Sequence, residues 1–295
     1  MAILIDPPLW PAHGTHFSHL VSDSSLDQLH DFAAAAGVPR RAFDLDHYDV
    51  PAERHAELVA RGAVAVSGGE LVRRLIASGL RVPARRRPGK LEHVLLQHWN
   101  ALIPDQEPLG RELIARWGGD HRHYHDHKHL LAVIEAFRTL QDHGERPGEE
   151  SRAVWLAAWF HDAVYNGVAG KDEEDSAALA RGKLTGAGCR PKEVAETARL
   201  VLLTAHHAPA DDDASGAMLC DADLSVLGSP PDSYRRYLAA VRKEYAHVGD
   251  ADFAAGRTAV VRRLLASEPL YRTATARTLW LAQARQNLSA ELSGI

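Results

Sequence analysis

The stretch Trp155-Leu-Ala-Ala-Trp-Phe-His-Asp-Ala-Val-Tyr165 decides how this chain is interpreted. Its apolar residues predict a helix that packs into a core, yet the run contains the adjacent pair His161-Asp162. Burying an imidazole beside a carboxylate costs free energy unless a partner compensates for it. A divalent cation is such a partner, so this pair is a candidate for metal binding.

Further metal-ligating side chains lie on both sides of the pair. The segment Arg122-His-Tyr-His-Asp-His-Lys-His129 precedes it, and Asp221-Ala-Asp223 follows it. His125 and His129 are four residues apart, so a helix that starts here would place both on one face. Either aspartate of Asp221-Ala-Asp223 could be the last ligand; we favour Asp223, with Asp221 as a helix cap or a support for the ligands.

The chemical types of these candidate ligands limit which metal ion they would bind. Imidazole and carboxylate groups suit manganese, iron, zinc or nickel, and a carboxylate-rich set suits magnesium. Structural zinc usually employs thiolates, and the chain has only Cys189 and Cys220. We therefore expect a divalent metal cofactor in a functional site.

Composition places the chain among ordinary globular proteins. It has 295 residues, 45% hydrophobic and 25% charged, which is enough for two domains. The net charge of -5 favours neither a membrane nor nucleic acid as a partner, although a local basic groove would still allow nucleic acid. Two cysteines and the absence of a signal-peptide pattern at Met1–Asp6 lead us to expect a cytoplasmic protein. The oligomeric state is left open.

The first part of the chain alternates strand and helix patterns. Residues 83–90 contain two prolines, a glycine and a basic run, and they predict a linker. Before it we predict a small α/β domain over residues 1–82. Its predicted strands are 2–5, 41–44 and 63–66, and its predicted helices are 25–36, 51–61 and 67–80.

Helical periodicity continues almost without interruption after the linker. No convincing strand pattern occurs there, so we predict an all-α domain over residues 91–295. The predicted helices are 91–102, 109–117, 126–140, 151–165, 173–184, 191–204, 223–227, 231–247, 250–266 and 270–288.

Several other polar residues are candidates for the site, each with an ordinary structural alternative. Glu173 could orient a catalytic water, or it could simply place charge at a helix N-terminus. His129 could contact substrate or lie on the surface. Either His206 or His207 could donate to phosphate or bind a second metal ion, or be an ordinary histidine at a helix end. Arg242 and Tyr245 could bind a phosphate, although a salt bridge is the default for Arg242.

The first domain has its own polar residues near predicted strand ends. Asp6, His13, His19, His47 and Asp49 could form a binding site there. Structural roles for these side chains are equally compatible with their spacing, and no reaction follows from them.

The helical part resembles the HD superfamily of metal-dependent phosphohydrolases over roughly residues 91–290. Within it, the chain is similar to a bacterial branch of predicted phosphohydrolases. That resemblance implies that His125, His161, Asp162 and Asp223 are the metal ligands. The motifs that carry it are His123-Tyr-His125, Trp159-Phe-His-Asp-Ala-Val-Tyr165, Asp172-Glu-Glu-Asp-Ser176, Leu202-Leu-Thr-Ala-His-His207 and Asp221-Ala-Asp-Leu-Ser-Val-Leu-Gly228.

The first part resembles a small bacterial domain family of unknown function over about residues 1–80. The resemblance implies no known activity. It rests on Asp6-Pro-Pro-Leu-Trp-Pro-Ala-His-Gly14, Ser18-His-Leu-Val-Ser-Asp23 and Asp46-His-Tyr-Asp-Val-Pro51.

The expected function is hydrolysis of a phosphate ester or anhydride by a metal-activated water, with Asp162 and Glu173 as catalytic residues. The expected substrate is a nucleotide or another small phosphorylated metabolite, as the resemblance implies. Two alternatives stay open: a regulatory module that binds metal and ligand without turnover, and a phosphodiesterase that processes RNA.

Overall fold

The computed structural model describes residues 1–12, 14–83, 87–168 and 170–294. The chain divides into two compact units, Met1–Ala84 and Arg85–Ile295. Their boundary falls in the stretch predicted as a linker, of which residues 84–86 lie outside the described residues. The first unit is a small α/β domain and the second is mostly helical, in agreement with the predicted fold class at this level.

The first unit is built on a mixed sheet with strand order β4-β5-β3-β1-β6, and β2 pairs with β3. Strand β3 is antiparallel to its neighbours β1 and β5, whereas β1 and β6 are parallel. The strands are β1 Ile3–Ile5, β2 Trp10–Ala12, β3 Thr15–Ser22, β4 Phe43–Asp44, β5 His47–Pro51 and β6 Val64–Ala65. The helices are α1 Leu26–Ala35, α2 His55–Ala60 and α3 Gly68–Ala77.

Helices cover both faces of this sheet. Ile5 and Leu20 belong to a buried cluster that includes Leu29 of α1. Leu4 belongs to a second buried cluster, which includes Leu71 of α3. Because successive strand residues point to opposite faces, these two clusters lie on opposite sides of the sheet.

Two of the longer strands, β3 and β5, were not predicted. Polar residues occur on both faces of β3, for example His19 on one and Ser18 on the other, so the sequence of this strand shows no apolar alternation. The predicted helix from Pro51 is wrong at its start: Pro51 ends β5, and α2 begins at His55 after a 3-10 turn. A proline at the end of a strand costs the sheet no hydrogen bond. Pro51 is therefore as well suited to the end of a strand as to the first turn of a helix.

The second unit contains no strand among its described residues. Three tryptophans, Trp99, Trp117 and Trp159, lie in its core with at most 1% exposure. No described helix is both long enough and apolar enough to cross a membrane. The helices are α4 Pro88–Leu102, α5 Glu107–Trp117, α6 His127–Asp142, α7 Ser151–Phe160, α8 Lys171–Gly186, α9 Pro191–Leu203, α10 Ala214–Asp223, α11 Pro231–Glu244, α12 Asp250–Ala266, α13 Ala274–Leu279 and α14 Leu281–Gly294.

Three predicted helices in this unit differ from the structure. The helix predicted over 151–165 ends at Phe160, so His161 and Asp162 lie just beyond it. The helix predicted over 223–227 is a 3-10 turn that follows α10. The helix predicted over 270–288 is two helices that meet at Trp280, and the first begins only at Ala274, where the hydroxyl of Thr273 caps it.

Gly110 of α5 lies against the indole of buried Trp99, which supports a first prediction. A Cβ at this position would lie 2.2 Å from Cδ1 of Trp99. Gly110→Ala must displace Trp99, and we expect it to lower the free energy of unfolding by about 1–3 kcal/mol. Denaturant unfolding measures the change.

The matched control is Gly182→Ala on α8, where a Cβ would meet no atom within 4 Å. It should leave the stability unchanged or raise it slightly, since alanine favours a helix. Equal stability of Gly110→Ala and the wild type would show that Trp99 is not held in this position.

Candidate metal centre

Five side chains converge inside the helical unit from three separate segments. His125 precedes α6 and His129 lies in its first turn, while Asp223 is the last residue of α10. His161 and Asp162 follow α7 directly. His129, His161 and Asp223 each offer one ligand atom, and these atoms lie within 4.8 Å of one another. We call these five side chains the helical-unit cluster.

The distances between the ring nitrogens and the carboxylate oxygens of the cluster are short, because these side chains point toward one another. Nε2 of His129 lies 3.0 Å from Oδ1 of Asp223 and 3.3 Å from Nε2 of His161. Nε2 of His161 lies 3.3 Å from Oδ2 of Asp162. Nε2 of His125 lies 4.0 Å from the same Asp162 oxygen. The cluster thus brings three imidazole nitrogens and two carboxylates together, with His129, His161 and Asp223 as its most closely spaced members.

Hydrogen bonds behind the rings set which nitrogen faces the centre. Nδ1 of His161 donates to the carbonyl oxygen of Ala158 at 2.9 Å, and a carbonyl only accepts. Nδ1 of His125 donates to Oε1 of Glu244 at 2.5 Å. In a neutral ring this leaves Nε2 with its lone pair toward the cluster, which is the usual arrangement behind metal-ligating histidines.

Glu244, at the end of α11, holds the histidine-rich segment in place, and it was not predicted from the sequence. Its side chain is only 2% exposed. Its Oε2 accepts the backbone N–H groups of His123, Tyr124 and His125 at 2.8, 2.9 and 3.1 Å. Burial tends to raise the pKa of Glu244, but its hydrogen bond to His125 and the charge of that ring outweigh this and lower the pKa.

The electrostatics of the cluster favour a cation. Burial tends to lower the pKa of His161, yet the charges of Asp162 and Asp223 raise it well above its usual value. Burial tends to raise the pKa of Asp223, but the charge of His161 and hydrogen bonds from three histidines hold it well below its usual value. Two largely buried carboxylates therefore require positive charge, which either a protonated imidazole or a divalent ion can supply. The donor set fits such an ion.

The structure changes the expected positions of the two histidines of the first segment. Because Asp126 caps α6 by accepting the N–H groups of Lys128 and His129, His125 lies outside the helix. The prediction that a helix stacks His125 and His129 is therefore wrong, although both reach the cluster. His129, which the sequence suggested as a substrate contact, is among the closest members of the cluster.

The two aspartates of Asp221-Ala-Asp223 have different partners. Asp223 lies in the cluster, whereas the carboxylate of Asp221 accepts the N–H groups of Arg272 and Thr273 at 2.9 and 2.7 Å. Asp221 thus ties α10 to the chain that leads into α13.

Two predicted site residues have structural partners in the helical unit. The carboxylate of Glu173 accepts the Gly170 N–H at 2.7 Å and caps α8, as the ordinary alternative stated. The guanidinium of Arg242 donates to the carbonyl oxygen of Tyr245 at 2.7 Å and pairs with Asp250 at 2.7 Å. These contacts satisfy polar groups at the ends of helices. No contact in the structure supports a catalytic role for Glu173 or phosphate binding by Arg242, and both roles stay predictions.

Two others lie beside the cluster. Nε2 of His207 donates to Oδ2 of Asp223 at 2.7 Å. The hydroxyl of Tyr245 accepts a hydrogen bond from Tyr165 at 3.3 Å. His207 and Tyr245 also line the cavity described next.

A cavity of about 660 Å³ opens beside the cluster. His125, His207 and Asp223 line its polar end. The rest of its wall comes mainly from the 3-10 turn after α10 and from helices α11 and α12, and it combines apolar side chains with the charged residues Asp252, Arg257, Arg263, Glu268 and Arg272. The apolar lining includes Leu224, Val226, Leu227, Tyr237, Val241, Val248, Phe253, Val260, Leu264 and Leu270.

Comparison with known proteins bears on the first unit. A family model described as a protein of unknown function (DUF4031) matches residues 3–78. The predicted resemblance of the first part to a domain family of unknown function is thereby confirmed. No curated protein and no solved structure matches the chain.

Proposed function

We propose that the helical unit is a metal-dependent phosphohydrolase of the HD type. The observation that carries the proposal is the convergence of three imidazoles and two carboxylates at the polar end of a cavity. The resemblance of the surrounding motifs to the HD superfamily supports the same reaction class.

His125, His129, His161, Asp162 and Asp223 would hold a divalent ion. Such an ion, when bound, polarises a phosphoryl oxygen and lowers the pKa of a water. Glu244 and the Ala158 carbonyl keep two of the imidazoles turned toward the ion.

His207 and the walls of the cavity would act on the substrate. His207 already donates from Nε2 to Asp223, so a small rotation of its ring would bring the same N–H to a phosphate oxygen or a leaving oxygen. A substrate that fills the cavity would displace water from the side chains there, which would strengthen its electrostatic contacts with them.

The cavity indicates the class of substrate. Its volume of about 660 Å³ falls within the usual range for small-molecule sites. Its polar end suits a phosphate, while Tyr237, Phe253 and Leu264 suit a planar or apolar body. We infer a small phosphorylated metabolite with such a body, for which a nucleotide is the leading candidate.

The test uses the full chain, stripped with a chelator and reloaded separately with manganese, iron, zinc, nickel or magnesium. Each form is incubated with nucleotides, simple phosphate esters and single-stranded RNA, and phosphate release or RNA cleavage is measured. Metal-dependent release from a small substrate supports the proposal. Metal bound in stoichiometric amount without turnover of any compound would favour the regulatory module, and cleavage of RNA alone would favour the phosphodiesterase.

The cavity wall supplies a second prediction, Gly256→Leu on α12. Gly256 lines the cavity, and a Cβ there would meet no atom within 4 Å. The leucine should therefore occupy free space and raise KM for nucleotides by about tenfold, with a smaller effect on a phosphate ester that has no bulky group. Steady-state kinetics on the two substrate types measures the difference.

Gly182→Leu on the exposed side of α8 is the matched control, since its Cβ also meets open space. It should leave both KM values unchanged. If Gly256→Leu changes neither KM, the substrate body does not occupy this cavity.

A further inference from the structure

The first unit contains a second group of metal-ligating side chains, His19, His47 and Asp49. Each offers one ligand atom, and these three atoms lie within 4.8 Å of one another. The group lies wholly within the unit Met1–Ala84 and shares no residue with the helical-unit cluster. The proposed hydrolase reaction makes no use of it.

Strand pairing brings these residues together. His19 of β3 is the direct partner of Asp49 in β5. Since side chains alternate along a strand, His47 lies on the same face of β5 as Asp49. On the other side of β3, the backbone N–H of Asp6 donates to the carbonyl of His19 at 3.3 Å. The pairing therefore places Asp6, His19, His47 and Asp49 in a patch on one face of the sheet. These are four of the five residues that the sequence suggested for a binding site in this domain, and the fifth, His13, lies outside the described residues.

Each histidine of the patch is held by a buried carboxylate. Nδ1 of His19 donates to Oδ2 of Asp6 at 2.9 Å, and Nδ1 of His47 donates to Oδ1 of Asp46 at 2.6 Å. Asp6 and Asp46 are 3% and 0% exposed. This leaves Nε2 of each ring for another partner, and Nε2 of His47 lies 3.3 Å from Oδ1 of Asp49. Carboxylates placed behind imidazoles in this way fix ligand orientation at metal sites.

The supporting carboxylates are themselves fixed by the backbone. Oδ1 of Asp6 accepts the N–H of His19 at 2.5 Å. Oδ2 of Asp46 accepts the N–H of Val82 at 2.6 Å. Both imidazoles are thus oriented before any ligand arrives, which lowers the free-energy cost of binding.

We propose that His19, His47 and Asp49 bind a divalent transition-metal ion, with Asp6 and Asp46 as positioning residues. Two imidazoles and one carboxylate suit manganese, iron, cobalt, nickel or zinc better than magnesium or calcium. The side chains of His19 and Asp49 are 25% and 47% exposed, so the ion reaches solvent. Three protein ligands leave coordination positions for water or a substrate, as in catalytic rather than structural sites.

The test measures the metal content of the full chain. The protein is stripped with a chelator, loaded with Zn²⁺ or Co²⁺, freed of unbound ion and analysed for metal per chain. Relative to the wild type, Asp49→Asn and His19→Asn should each lose about one ion per chain. The matched controls are His16→Asn, an exposed histidine on the same strand, and Asp31→Asn, an exposed aspartate on α1; neither should lose metal.

A second measurement separates this site from the helical-unit cluster. In an Asp162→Asn background, calorimetric titration with Zn²⁺ should still show a site, and Asp162→Asn/Asp49→Asn should lose it. Circular dichroism verifies that each variant is folded. Equal metal content in the wild type, His19→Asn and Asp49→Asn would overturn the proposal and leave a network of histidine–carboxylate hydrogen bonds. That outcome would not contradict the proposed hydrolase function, because that function is tested with variants of Asp162.

Discussion

Asp162→Asn is expected to remove the ion from the helical unit and to abolish hydrolysis with it. The amide keeps the size of the side chain but loses the negative charge that faces His161 and His125. Lewis-acid stabilisation of a phosphoryl transition state supplies several kcal/mol, so activity should fall by about a thousandfold or more. Elemental analysis and phosphate release, measured on the same preparation, check both effects.

The matched control for this variant is Asp120→Asn, which changes an exposed aspartate of the same unit. It should retain both metal and activity. An Asp162→Asn protein that still binds metal in stoichiometric amount would remove Asp162 from the ligand set, and undiminished turnover would remove it from the mechanism.

Glu244→Ala is expected to have the largest effect of any single change outside the ligands. It removes the acceptor of three backbone N–H groups and of the His125 ring. At roughly 1 kcal/mol for each of these four donors left unpaired, the free energy of unfolding should fall by about 4 kcal/mol. Metal affinity should also fall by about 10- to 100-fold, because His125 is no longer oriented.

Urea unfolding and calorimetric metal titration measure the two losses. Glu244→Gln keeps one acceptor oxygen and should lose less in each measurement. Lys243→Ala changes the exposed neighbour on α11 and serves as the control. Unaltered stability and affinity in Glu244→Ala would show that the histidine-rich segment is held by other contacts.

Local sequence signals predicted much of the secondary structure. Ser25 and Ser67 were expected at helix starts, and their side chains accept the N–H groups of Gln28 and Glu70 there. The pair His161-Asp162 could be identified from the sequence as a candidate for metal binding, for a different reason. An ionisable pair in an apolar run needs a partner in any fold, so its role does not depend on knowing the tertiary structure.

Features set by tertiary packing were not predictable in this way. Glu244 contacts His125 across 119 residues, and nothing in the spacing of α11 distinguishes it from a surface glutamate. Helix α10 was not predicted because it is buried on nearly all sides and therefore lacks the polar face of an amphipathic helix. Strand β3 was not predicted because its polar residues lie on both faces, so its sequence lacks the alternation that marks a half-buried strand.

The proposed ligands of the helical unit come from three segments, which has a consequence for the kinetics of ion exchange. Neither the chain around the start of α6, nor the turn after α7, nor the end of α10 supplies more than two of the five. An ion bound there would have two routes to solvent: through the cavity that His125 and Asp223 line, or by separation of these segments. If release requires α10 to swing away from α6, the exchange rate of a radioactive ion would record how often that helix pair opens in the native protein.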